Sequence, residues 1–144
     1  MTEIEGDILN VTHGIICHQV NCRGKMGAGI ALAIRKKWPE VYRDYIAAHL
    51  RKELKLGHIV FTEIKKNLLY VASLCGQYNY GRQGQYTNYD AVKMCLTELA
   101  KYDDGRLVIH IPKGMGCTLA GGDWNIVSKM IDSIIPNAII INKI

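Results

Sequence analysis

Twice along its 144 residues the chain passes from a short apolar run, through a stretch crowded with glycine, into a segment whose apolar residues recur at helical spacing. The first passage reads GIICHQV, NCRGKMGAG, IALAIRKKW, and the second reads RLVIHIP, KGMGCTLAGG, DWNIVSKMIDSII. The apolar runs are nearly continuous, as suits strands covered on both faces, and strand followed by helix is the repeating unit of a parallel sheet. Glycine at such a junction lets backbone approach a ligand closely, and amides at a helix start carry partial positive charge. Each stretch is therefore a candidate anion cradle at the carboxyl end of its strand, where ligands of α/β folds collect. Either stretch alone also serves as a tight turn for close packing, since Gly24-x-x-Gly27-x-Gly29 is neither a dinucleotide fingerprint nor a P-loop. Their matched placement favours a ligand site, and two cradles suit a diphosphate.

The rest of the chain fits the same plan. TEIEGDIL reads as a short strand broken at Gly6-Asp7. Ile30, Ala33, Ile34 and Trp38 define a helix that Pro39 ends, and EVYRDYIAAHLRKEL a second helix lasting almost to Gly57. HIVFTEI and NLLYVASLC flank KKN as a hairpin. GQYNYGRQGQY has no period and is expected to be an ordered functional loop, after which Thr87-Asn88 caps a helix carrying Val92, Cys95, Leu96 and Leu99. Asp123 caps or opens the last helix, and NAIIINKI closes the chain as a strand. The expectation is one α/β domain over residues 1–144, a three-layer α/β/α sandwich with a mixed, largely parallel central sheet.

Composition narrows the classes. Hydrophobic residues at 49% and charged residues at 22% supply a packed core, and no tract has the composition of a disordered tail. MTEIEGDILN places acids where a secretory leader needs basic and then apolar residues, and no apolar run reaches membrane-spanning length, so a cytoplasmic protein with no membrane partner is expected. The five cysteines form no C-x-x-C pair and no compact Cys/His cluster, which gives no reason to expect a metal site. The net charge of +5 is scattered and suits a small phosphorylated ligand as well as nucleic acid, so charge alone does not choose.

The segments GDIL, CHQVNCRGKMGAGIALAIRKKWPEVYRDY and IPKGMGCTLAGGDW together resemble the macrodomain, the ADP-ribose-binding α/β module, in the branch of ADP-ribose 1''-phosphate phosphatases and terminal ADP-ribose hydrolases. YGRQGQYTNYDA is similar to its small bacterial and phage members. The resemblance implies ADP-ribose or a derivative as ligand, and hydrolysis of ADP-ribose 1''-phosphate without metal or cofactor. It makes Asp7 the acceptor for the adenine amino group, with the Ile8 amide beside it. Gly24, Lys25, Met26, Gly27, Ala28, Gly29 and Ile30 would wrap the diphosphate and distal ribose. Gly114, Met115, Gly116, Cys117, Thr118 and Leu119 would form the second phosphate loop. Asn21 matches an asparagine reaching the distal ribose hydroxyls, and His18 the histidine associated with phosphatase activity. An imidazole could protonate a departing oxygen or position water, although a histidine in an apolar strand is as often a core residue.

The chain departs from the terminal ADP-ribose hydrolases at two places. Their lysine falls near Gly76-Gln77 and their aspartate at Ala120, leaving Lys25 and Asp123 as distant substitutes. Tyr78, Tyr80, Tyr86 and Tyr89 could close over a base or ribose, and Arg82 could meet a terminal phosphate. Cys117 and His110 read as packing residues. The alternatives to a phosphatase are a non-catalytic reader of ADP-ribose or an NAD-derived signal, a hydrolase of ADP-ribosylated macromolecules and, last, a nucleic-acid-binding module.

Overall fold

A computed structural model describes residues 1–144. In chain order the elements are β1 (Thr2–Glu5), a 3-10 turn (Ile8–Asn10), β2 (Gly14–Asn21), α1 (Gly29–Lys37), α2 (Pro39–Leu50), β3 (Ile59–Lys65), β4 (Leu69–Gln77), α3 (Tyr89–Ala100), β5 (Ile109–Pro112), α4 (Trp124–Ile134) and β6 (Ile139–Asn142). The six strands form one sheet in the order β1-β6-β5-β2-β4-β3. Every neighbouring pair is parallel except the β3–β4 hairpin. The fold is the expected α/β sandwich with a mixed, largely parallel sheet.

Strand alternation sorts the core into two layers. Ile15 and Cys17 of β2 join Val92, Leu96 and Leu99 of α3 and Val127 and Ile131 of α4 on one face. Ile16 and Val20 join Ile34 of α1 and Val41 and Tyr45 of α2 on the other. All eight residues of β2 are buried, which is why the strand reads as a continuous apolar run. Asn88 and Asp123 cap α3 and α4, their side chains accepting from the Ala91 and Asn125 amides.

The largest differences from the sequence reading fall at two boundaries. The second helix stops at Leu50, because Lys52 turns into the left-handed region (φ 60°) and sends Leu54 and Leu56 back against the core. The strand expected from Arg106 starts at Ile109, after a turn in which the Asp104 carboxylate accepts from the Arg106 amide.

Parallel pairing brings the carboxyl ends of β1, β6, β5, β2 and β4 to one edge of the sheet. At about 4.8 Å per strand that edge spans about 19 Å. Both glycine stretches start there, from the adjacent strands β2 and β5.

Burial sets the mutational cost. Leu96→Ala, at a side chain with no exposed surface, is expected to lose about 2–5 kcal/mol in urea unfolding. Leu50→Ala, at a side chain 75% exposed, should change stability by less than about 0.5 kcal/mol.

Candidate functional site

The carboxyl edge holds a cavity of about 990 Å³, large for a small-molecule site. Asp7 and Ile8 line one end, Gln77 and Tyr80 to Arg82 the other, and the two glycine loops lie between them.

Asn21 organises the first loop. Its Oδ1 accepts from the Arg23 and Lys25 amides at 3.0 and 3.3 Å, and its Nδ2 donates to the Lys25 carbonyl at 2.8 Å. The Tyr45 hydroxyl, reaching from α2, donates to the Asn21 carbonyl and lies 3.0 Å from Oδ1. Burial raises the Tyr45 pKa, so the phenol stays a donor. Asn21 borders the cavity, but its side chain is committed to shaping the loop rather than free to reach a ribose. Of the expected loop residues, Lys25, Gly27, Ala28, Gly29 and Ile30 line the cavity. Gly24 and Met26 do not, because Gly24 packs on His49 and Met26 is sunk into the α1/α2 core as an anchor.

The second loop contributes Gly114, Met115, Gly116, Thr118 and Leu119. Cys117 is not in the wall; its thiol donates to the Met115 carbonyl, and burial, then Asp123, pushes its pKa up to about 11. Gly116 lies in the left-handed region (φ 75°), and a Cβ there would fall 2.5 Å from Gln19 Oε1.

His18 is the main correction. It has no exposed surface, does not line the cavity, and shares a 2.7 Å hydrogen bond between Nε2 and Ser73 Oγ of β4. Its Nδ1 has no partner, and burial pulls its pKa down to about 3. A sealed, neutral imidazole cannot serve as the expected acid or water-positioning group. Asp123 spends its carboxylate capping α4, and Ala120 lines the cavity where an aspartate would be needed. Among the four tyrosines only Tyr80 lines the cavity; Tyr89 packs on the α3/α4 core and accepts from the Asp123 amide.

Gln19 is the site residue that sequence reasoning passed over. Its Nε2 donates to Gln77 Oε1 at 2.8 Å and Thr87 Oγ1 at 2.9 Å. Thr87 donates onward to the Gly116 carbonyl, and Gln77 Nε2 donates to the Asn79 carbonyl at 2.8 Å. One amide thus ties the ends of β2 and β4 to the start of α3, the second glycine loop and the 78–86 loop. Gln19 Oε1 is left buried without a partner. The available signal was a cluster of polar residues, His18, Gln19 and Asn21, at the glycine end of a strand whose first half is apolar. Lys143, after β6, was also missed; a parallel sheet puts that strand end on the same edge.

The wall has one acid, Asp7, against Lys25, Arg82, Lys113 and Lys143. This charge set suits an anionic ligand with one group that needs an acceptor. No cluster of three or more His, Cys, Asp or Glu side chains is placed to hold a metal ion, and no helix is long and apolar enough to cross a membrane.

The Macro domain family model matches residues 17–131. The chain is 28% identical over 141 residues to an ADP-ribose 1''-phosphate phosphatase of Meyerozyma guilliermondii, covering 76% of this chain and 80% of that one. A solved structure of a protein of unknown function from Bacteroides thetaiotaomicron superposes with a TM-score of 0.87 at 29% identity, covering 99% of this chain and 97% of that one. Thermosipho africanus DarTG in complex with ADP-ribose superposes with a TM-score of 0.82 at 18% identity, over 99% of this chain and 42% of that one.

Two outcomes follow from these placements. Tyr45→Phe should cost about 0.5–1.5 kcal/mol and speed hydrogen exchange at the Arg23 and Lys25 amides. Unfolded His18 takes up a proton near pH 6.5 while the folded residue does so only near pH 3. Stability is therefore full above pH 6.5 and falls as pH drops below it. Between pH 7 and 4.5 the wild type should lose more of its melting temperature than His18→Gln; equal losses would refute the assignment.

Proposed function

The chain belongs to the macrodomain family, and from that premise we propose that its cavity binds ADP-ribose along the carboxyl edge of the sheet and that the protein hydrolyses ADP-ribose 1''-phosphate to ADP-ribose and phosphate. The observation that carries the binding reading is the convergence of both glycine loops on one cavity with Asp7 and Ile8 at its end. Asp7 Oδ1 accepts from the Leu9 amide at 2.9 Å, which fixes the carboxylate and leaves acceptor capacity for an adenine amino group. Amides of the two loops would bind the diphosphate, and the distal ribose would lie towards the ends of β2 and β4. The phosphatase of Meyerozyma guilliermondii supports the reaction class.

With His18 walled off, hydrolysis in this reading rests on holding the terminal phosphate against loop dipoles while water attacks phosphorus and the phosphorus–oxygen bond to the sugar breaks. The same burial, with Gln77 and Ala120 in the wall, favours as a second reading a protein that binds ADP-ribose without turnover. It also gives removal of ADP-ribose from macromolecules, by way of a lysine and an aspartate, no matching pair of residues.

Calorimetry with ADP-ribose and phosphate release from ADP-ribose 1''-phosphate, with and without chelator, test these readings. Chelator-resistant release is expected from wild type, and within about twofold from His18→Gln, because that side chain does not face the cavity. Gly116→Val should weaken ADP-ribose binding by about tenfold or more, since its side chain would collide with Gln19. Binding without release selects the second reading, and absence of binding overturns both.

A further inference from the structure

The two ends of the cavity differ in how their charges are satisfied. At the β1/β6 end Lys143 Nζ lies 3.8 Å from Asp7 and Lys113 Nζ 3.2 Å from Glu3. At the β2/β4 end Lys25 and Arg82 line the same cavity, and neither side chain has an ion pair or a hydrogen bond. No carboxylate lines that end. Their two loops are joined by the Cys22 amide, which donates to the Gln77 and Tyr78 carbonyls at 3.0 and 3.1 Å. The Arg82 loop is held in turn against the second glycine loop, with the Tyr86 and Thr87 amides both donating to the Ala120 carbonyl and Gly84 packed on Gly121.

We propose that Lys25 and Arg82 form a subsite for a small terminal phosphate at the distal end of the bound ligand. They would make the protein selective for a phosphorylated ADP-ribose over ADP-ribose itself. The inference rests on the cavity being an ADP-ribose site. With adenine at Asp7 and the diphosphate over the β5 and β2 loops, strand order puts the far sugar and its substituent at the β4 end, where these cations stand. A guanidinium presents paired N–H groups to phosphate oxygens, and an ammonium in the wall of the same cavity adds a point charge. Seating of the 78–86 loop on residues 120–121 walls this end, which suits a compact dianion rather than a macromolecular chain.

The test compares ADP-ribose with ADP-ribose 1''-phosphate, each displacing a fluorescent ADP-ribose analogue in rapid mixing, before turnover. Wild type should prefer the phosphorylated ligand by about tenfold or more. Arg82→Gln, and more fully Arg82→Gln with Lys25→Gln, should bring the two affinities to within about twofold of each other, the loss falling mainly on the phosphorylated ligand, and Arg82→Lys should restore part of the preference. Arg82 is exposed on a loop, so these variants are expected to fold. Equal affinities in the wild type overturn the subsite and leave ADP-ribose binding intact. Equal weakening of both ligands also overturns it, assigning Arg82 to the loop rather than to the phosphate. Failure of either ligand to bind overturns the underlying reading and this one together.

Discussion

Parallel pairing of β2 with both β4 and β5 is the constraint on which the rest depends. It buries β2 on both faces, makes its sequence nearly continuously apolar, and forces the chain to leave and re-enter the sheet through helices. It also sets the ends of neighbouring strands side by side, so that two loops some ninety residues apart in sequence open onto one cavity. Antiparallel pairing of β2 with β5 would have put the glycine loops at opposite edges of the sheet.

Within β2 the two-residue period separates neighbours with different roles. Gln19 falls on the face of Ile15 and Cys17 and meets Thr87 at the start of α3. His18, on the face of Ile16, meets Ser73 across the sheet and is enclosed by packing. A histidine within a strand end's length of a ligand loop looks available for chemistry in a linear reading, yet one step of the pleat and the layer of α1 and α2 remove it from water. The same enclosure keeps it neutral, because charging it would require desolvating the cation with only a hydroxyl nearby.

The order of elements, both glycine loops and the helix caps at Asn88 and Asp123 were legible because each has a local cause: apolar period, positive-φ turn or side-chain cap. Less legible was what depends on direction in three dimensions. Gly24, Met26 and Cys117 lie in the right stretches but face His49, the α1/α2 core and the Met115 carbonyl. Asn21 borders the cavity, but its amide shapes the loop through contacts with Lys25 and Tyr45, the latter 24 residues away. Gln19 carries no motif of its own, and its importance lies in partners 58 and 68 residues further on.

The polar network around Gln19 helps hold in place the loops that wall the cavity. Glycine-rich loops lose much conformational entropy on ordering, and loops left free would pass that cost to the ligand. Here the first loop is fastened by Asn21 and Tyr45, and the second by Thr87 and the network behind it. Much of the ordering is therefore completed when the protein folds. One buried acceptor, Gln19 Oε1, is left without a partner beside Gly76 and Gly116, at a cost of about 1–3 kcal/mol in such settings. A methyl group at either glycine would force that oxygen aside and disturb the amide that holds Gln77, Thr87 and, through Thr87, the second loop, so the bare backbone at these positions serves the fastening. The glycines and the glutamine thus act as one unit, in which folding stability is given up locally to hold the second loop and the ends of β2 and β4 together.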